Sequence, residues 1–305
     1  MKQFVDVLAC WAVRATFWLL GLLPQSARVT IFAALFRFAF VVVPRLRQTI
    51  RINLAIAFPD KSEEWYREIT RKNATEMGRL LADTVRLPRL DEAWVHSHVD
   101  IPILERYAAA QGTPGVLVAT GHLGSFELLG HAIGLYGYPL SAVARKFKSK
   151  RLDAWWTGLR EARGNTIIDR KGAFREICKC IDSGRSVAVL FDQNVKSKHA
   201  VFVDWFGKPA ATTRAFALAA IKTKAPVFVA SMRYLGGDTY RVAGVECDCR
   251  EIYADETLDD DVKVQCITEK ISTIYCAMIE EFPEGWFWLH RRWKTRPPGE
   301  PERVY

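Results

Sequence analysis

From residue 115 onward the chain alternates short apolar runs with stretches of helical periodicity, and few folds accommodate that pattern. Residues 115–119, 140–144, 166–169, 186–191 and 227–233 read as strands, followed by 240–245. Helical patterns occupy 124–136, 150–163, 172–182, 213–224 and 261–282. A strand that is apolar at successive positions has no solvent face, so helices must cover it on both sides. The expected class is α/β, with a mostly parallel central sheet flanked by helices. Residues 62–98 precede this region as helices, with Ser62-Glu63-Glu64 able to start the first of them. There is no internal repeat and no low-complexity tract. The tail from Arg296 to Pro301 reads as an extended, mobile end.

The first fifty residues differ in character. Residues 4–23 are almost all apolar or small, interrupted by Asp6 and Arg14. The length suits a membrane span of about 20 residues. An arginine at mid-span would cost about 2.5–3.5 kcal/mol. An interfacial helix avoids that cost, because Arg14 snorkels to the headgroups. A second apolar stretch, 31–43, carries Arg37 and ends at Pro44, with Arg45, Arg47 and Arg51 close behind. Residues 1–50 are read as a membrane-dipping helical pair with a basic collar. The soluble alternative is a pair of amphipathic helices covering the core.

The chain is 305 residues long and carries a net charge of +9, which calls for an anionic partner. Residues 1–51 set seven cations against the single Asp6. Basic, apolar and aromatic together fit a membrane surface. No helix-turn-helix, zinc-finger or RNA-binding-sheet signature accompanies the charge, so nucleic acid is not an expected partner. The seven cysteines include no C-x-x-C pair. The pairs Cys178/Cys180 and Cys247/Cys249 lack the usual zinc spacing, so free thiols and no metal are expected.

Candidate chemistry sits at Gly121-His122-Leu123-Gly124-Ser125-Phe126-Glu127. His122 falls at the C-terminal end of a strand and Glu127 in the first turn of the next helix. Open α/β sheets tend to hold their chemistry there. A neutral imidazole takes a proton from a hydroxyl when a carboxylate orients its other nitrogen. The alternative is a loop histidine beside a helix start. No G-x-S-x-G elbow is present, which disfavours a serine hydrolase.

That segment resembles the H-x4-D/E signature of glycerolipid and lipid A acyltransferases, and its glutamate resembles the lipid A branch. Further stretches agree in order: Arg51-Ile52-Asn53-Leu54, Phe58-Pro59-Asp60, Asp169-Arg170-Lys171-Gly172, Asp192-Gln193, Pro209-Ala210-Ala211-Thr212-Thr213 and Trp286 through Lys294. The resemblance covers roughly residues 45 to 296. It implies a glycerolipid acyltransferase-like fold with N-terminal membrane-associated helices. Together with the reading of residues 1–50 as an anchoring segment, it gives an acyltransferase domain over 51–305, with a helical lead-in (51–112) and an α/β core (113–296). The implied reaction moves a fatty acyl chain from acyl carrier protein to a hydroxyl of a lipid A precursor at the cytoplasmic face of the inner membrane. No cofactor is expected beyond acyl carrier protein or acyl-CoA as donor. Two rivals remain: the same fold acting on another phospho-, glyco- or aminolipid, and a non-catalytic lipid-binding protein.

Such a reaction needs a base, an oxyanion donor and two substrates held close. His122 is the expected base and Glu127 its orienting partner. Arg170 and Asp192 join them as catalytic candidates, each at a strand end. Substrate contacts are expected from Gly124, Ser125, Arg145, Lys146, Gln193, Thr212, Thr213, Arg291 and Arg292. Arg145 and Lys146 bind phosphate or form a solvated basic face. Thr212 or Thr213 also suits a helix N-cap, and the small residues beyond them line an acyl channel or pack a core. Arg291 and Arg292 contact a headgroup or belong to a packed C-terminal clasp. Asn194 departs from the family's Asp-Gln-Asp, which removes a second carboxylate there.

Overall fold

The computed structural model describes residues 2–300 and 303–305, with side chains from residue 6 onward. Helices α1 (Lys2–Gly21), α2 (Gln25–Val42), α3 (Pro44–Ala57) and α4 (Glu63–Arg86) come first, then α5 (Glu92–His98), β1 (Val99–Asp100) and α6 (Leu104–Ala109). The alternating region follows as β2 (Leu117–Thr120), α7 (Phe126–Leu135), β3 (Ser141–Ala144), α8 (Lys150–Glu161), β4 (Thr166–Asp169), α9 (Ala173–Asp182) and β5 (Val187–Leu190). A hairpin of β6 (Ala200–Trp205) and β7 (Lys208–Thr213) intervenes. Then come α10 (Ala215–Thr223), β8 (Val227–Gly236), β9 (Thr239–Cys247), α11 (Arg250–Ala254) and α12 (Asp260–Glu281).

Seven strands form one sheet in the order β1-β9-β8-β2-β5-β3-β4. The five from β8 to β4 are parallel, and β9 runs antiparallel to β8. Side chains alternate across the sheet. Leu117, Ala119, Val187 and Val189 pack on one face with α9, α10 and α12. Val118, Ala188, Phe228 and Ala230 pack on the other face with α7. The two central connections leave in opposite directions. From β2 the chain crosses β5 to reach β3, whereas from β5 it crosses β2 to reach β8. Right-handed crossovers then place α7 and α10 on opposite faces. The gap between the C-terminal ends of β2 and β5 is the crevice this topology leaves open for a ligand.

α2 lies against α4, where Gly78 admits its backbone. A Cβ on Gly78 would meet Ala33 N at 2.6 Å. Only Arg28, Val29, Ala33 and Phe40 of α2 are buried. Leu35, Phe38 and Val41 are exposed, as are Trp11, Trp18 and Leu22 on and just after α1. Among the described residues α2 is the helix long and apolar enough to cross a membrane. α1 meets α8 through Phe17, whose ring lies 5.0 Å from Trp155 and 5.8 Å from Trp156.

The C-terminal segment closes the molecule. Asn53 Nδ2 donates to the carbonyls of Trp288 and His290, and Asn73 Nδ2 to those of Glu284 and Trp286, all at 2.7 Å. The tail expected to be mobile is fastened at its start, where Arg296 donates to the Pro209 carbonyl, and beyond it the Tyr305 hydroxyl reaches Asn53. Pro301, also part of that expectation, lies outside the described residues.

Candidate active site

His122 follows β2 and Asp192 follows β5, so the sheet's register brings the two across the central crevice. His122 Nδ1 lies 2.9 Å from Asp192 Oδ1. The other carboxylate oxygen accepts from the His122 backbone N–H at 2.9 Å and from Trp286 Nε1 at 2.8 Å. The approach requires Gly121, where a Cβ would meet Asp192 Cγ at 2.6 Å and the Tyr275 hydroxyl at 2.4 Å. Burial pushes the Asp192 carboxyl up. The His122 ring and the hydrogen bonds from His122 and Trp286 outweigh that and hold it at about 2. Asp192 is therefore an anion that fixes the ring and orients its far nitrogen.

Glu127 does not hold that ring. It pairs with Arg160 of α8, whose Nε donates at 3.0 Å to one carboxylate oxygen while Nη2 bonds the other. The expected Glu127–His122 contact is corrected for a geometric reason. Glu127 lies in the first turn of α7 and its carboxylate is taken by Arg160 of α8, whereas the loop after β5 brings Asp192 to the ring. Gln193 Nε2 lies 3.3 Å from His122 Nε2, on the opposite side of the ring from Asp192. Phe126 and Phe287 flank the imidazole with centroids at 4.9 and 5.9 Å.

Other polar groups fix the frame. Gly124 has φ of +63°, and a Cβ there would meet the Met232 carbonyl at 1.8 Å. Its N–H donates to the Gly285 carbonyl at 3.0 Å, and the Phe287 N–H donates to the His122 carbonyl at 3.0 Å. Burial lowers His290 to about 4, so it is neutral and its Nε2 accepts from the Asn194 backbone at 2.8 Å. These contacts tie the C-terminal segment to the loops after both β2 and β5.

A cavity of about 1650 Å³ opens at His122. Small-molecule sites usually measure about 300–1,000 Å³, so it has room for more than one small ligand. Arg145, Lys146, Arg170, Lys171, Lys196 and Arg214 line part of it. Ile103, Tyr107, Leu129, Ile133, Phe228 and Val242 make an apolar wall elsewhere. Each methylene buried against such a wall contributes about 0.8 kcal/mol. Of the expected site residues, His122, Glu127, Arg145, Lys146, Arg170, Gln193 and Thr213 line this cavity, with Asp192 buried directly behind His122.

Five expected substrate contacts stand elsewhere. Gly124 serves the close approach to β8. Ser125 is buried and donates to Asp83. Thr212 is buried and accepts from Arg292, while Arg292 Nη1 donates to the Ala211 carbonyl at 2.7 Å and its guanidinium stacks 4.1 Å over Trp205. Arg292 is thus a core cation, lowered to about 10 by burial. Arg291 lies 5.5 Å over the Tyr305 ring. The alternative of a packed C-terminal clasp holds for both arginines. Helix α10 packs mainly into the core, although Ala215 and Leu218 touch the cavity. Arg160 and Trp286 are site residues not singled out from the sequence. Trp286 is legible only as part of an aromatic block, and Arg160 has no local signal, because its partner is 33 residues away.

Residues 3–295 match the family model described as bacterial lipid A biosynthesis acyltransferase. The chain is 26% identical over 304 residues to the lipid A biosynthesis lauroyltransferase of Escherichia coli K12, covering 96% of this chain and 94% of that one. It is 22% identical over 253 residues to a phosphatidylinositol mannoside acyltransferase of Mycolicibacterium smegmatis, covering 81% and 79%. Among solved structures it is similar to the 1-acyl-sn-glycerophosphate acyltransferase of Thermotoga maritima. That match has a TM-score of 0.38 and 14% identity, and covers 84% of this chain and 98% of that one.

Proposed function

The chain belongs to the bacterial lipid A biosynthesis acyltransferase family and is an O-acyltransferase, and from that premise we propose that it moves a fatty acyl chain from acyl carrier protein to a hydroxyl of a lipid A precursor, with His122 as base and Asp192 as its orienting carboxylate. The observation that carries this reading is the His122 Nδ1–Asp192 bond at the opening of the cavity. It leaves Nε2 free to take the acceptor's proton once the Gln193 amide yields its place.

In this mechanism the acceptor O–H gives its proton to His122 Nε2 as the oxygen attacks the thioester carbonyl carbon. The tetrahedral oxyanion then collapses, the C–S bond breaks, and the thiolate leaves with the proton returned from Nε2. Glu127 acts through Arg160: two guanidinium N–H groups are fixed on the carboxylate, and the rest of the fork is left for substrate oxygen at the cavity. Arg145, Lys146 and Arg170 receive phosphate at the cationic side. The basic surface suits an acidic carrier protein. The exposed apolar residues of α1 and α2 seat residues 1–50 as an anchor on the inner membrane, with the remainder of the chain facing the cytoplasm.

A second reading keeps the chemistry and changes the acceptor to another phosphoglycolipid, with acyl-CoA as donor. The similarity to a phosphatidylinositol mannoside acyltransferase favours keeping it. Mass spectrometry of lipid A from cells with and without the gene separates the two. The primary reading expects loss of one acyl chain, and an unchanged profile overturns it. Purified protein given matched acyl-carrier-protein and acyl-CoA donors identifies the donor.

A further inference from the structure

The guanidinium of Arg28 is out of place by ordinary rules. Arg28 sits in the first turn of α2 and is 6% exposed. Its Nε and Nη1 are buried without a hydrogen-bond partner. A buried charge normally has a partner, because desolvation without one is strongly unfavourable. The nearby carboxylates are occupied. Asp83 accepts from Gln25 at 2.7 Å, from Tyr240 at 2.8 Å, from Arg86 at 3.0 Å and from Ser125. Asp238 takes Arg86 Nη1 on both oxygens at 2.8 Å. A third arginine, Arg89, is exposed and donates to the Gly21 carbonyl at the end of α1. Arg28, Arg86 and Arg89 thus stand against two carboxylates, and the excess is one positive charge.

The cluster lies where α1 turns into α2, beside the exposed apolar residues Leu22 and Leu23. We infer that Arg28 and Arg89 form a binding site for the phosphodiester headgroup of an anionic membrane lipid, separate from the catalytic cavity. Neither arginine lines that cavity. A monoanionic phosphodiester matches the excess charge; it accepts from the exposed Arg89, which lies close enough to Arg28 for the two charges to interact, and so offsets the buried Arg28 charge. The adjacent apolar surface takes the acyl chains. The inference rests on the membrane-surface reading of α1 and α2 and is independent of the acyl-transfer chemistry.

The test uses the full-length protein in a non-ionic detergent and follows its melting temperature. Water-soluble dihexanoyl phosphatidylglycerol is titrated against dihexanoylglycerol, which lacks the phosphate, and against inorganic phosphate. The expected result is a rise of a few degrees, on the scale of ligand linkage, with the phospholipid alone. Arg28→Met should melt higher than wild type without ligand and lose that rise, because an uncompensated charge has gone. Arg89→Gln, at an exposed position, should weaken the titration roughly tenfold without affecting the fold. Arg47→Gln, an exposed arginine of α3, should leave it unchanged. Phospholipid-induced stabilisation that survives in both Arg28→Met and Arg89→Gln overturns the site. A full rise with inorganic phosphate overturns its assignment to a lipid.

Discussion

Asp192 takes three donors on one buried carboxylate, and they hold its pKa below the usual carboxylate value. Its unfolded value is near 3.8 and its folded value about 2. The stability it contributes is therefore complete above about pH 4 and is lost as pH falls toward 2. Asp192→Asn keeps the shape but replaces one carboxylate oxygen with an amide that cannot accept from the ring. Steady-state kinetics should show kcat reduced by roughly 10²–10⁴-fold with KM changed little. A variant within tenfold of wild type would remove Asp192 from the mechanism. Glu127 makes a different prediction. If it works through Arg160, Glu127→Ala and Arg160→Ala should each impair the enzyme, and the double variant should be scarcely worse than either. Additive losses would mean that Glu127 acts elsewhere. At this scale the sequence distinguished residues by their place on strand ends, which exposed His122, Asp192 and Arg170. It did not separate a polar group that faces a ligand from one satisfied internally. Ser125, Thr212 and Arg292 have the same composition signal as site residues, and only their partners show otherwise.

The parallel strands were legible because both of their faces are buried, which leaves continuous apolar runs. The strand expected at 166–169 is β4 to the residue, and the others differ only at their ends. The β6–β7 hairpin was not expected. Its turn places Phe206 and Gly207 at φ of +57° and +74°, a two-residue turn of the primed kind. Such turns ordinarily announce themselves as Asn-Gly or Asp-Gly, and phenylalanine gives no such signal. The N-terminal helices show a further limit of pattern reading. Their apolarity serves two surfaces at once, one packed on α4 and one exposed. Deleting residues 1–44 would strip both, so single charges make the better test. Leu35→Asp and Phe38→Asp alter side chains that are 58% and 66% exposed. Both variants should melt like wild type yet float poorly with anionic vesicles. Undiminished flotation of the double variant would move the membrane contact off α2.

Across the whole molecule, acid should act through buried neutral imidazoles. His131 and His290 are each lowered by burial to about 4, against 6.5 when unfolded. Between those values the unfolded chain binds more protons, so stability falls as pH drops from 6.5 to 4, by on the order of 3 kcal/mol per histidine. Glu76, raised by burial, works in the opposite sense and softens the slope. Urea unfolding at pH 7, 5.5 and 4.5 measures it, and a flat profile would show that both rings find protons or partners in the fold. Asn53 and Asn73 receive a segment more than 200 residues later in the chain, and that segment supplies the Trp286 N–H on Asp192. During synthesis the helices α1–α12 and all seven strands of the sheet precede it, and chains build their N-terminal parts first. A ribosome-bound chain not yet translated that far would hold His122 and Asp192 without Trp286 or the Phe287 backbone to fix them. The His122–Asp192 pair is thus completed late in the life of each molecule, once residues 284–290 have been translated and docked.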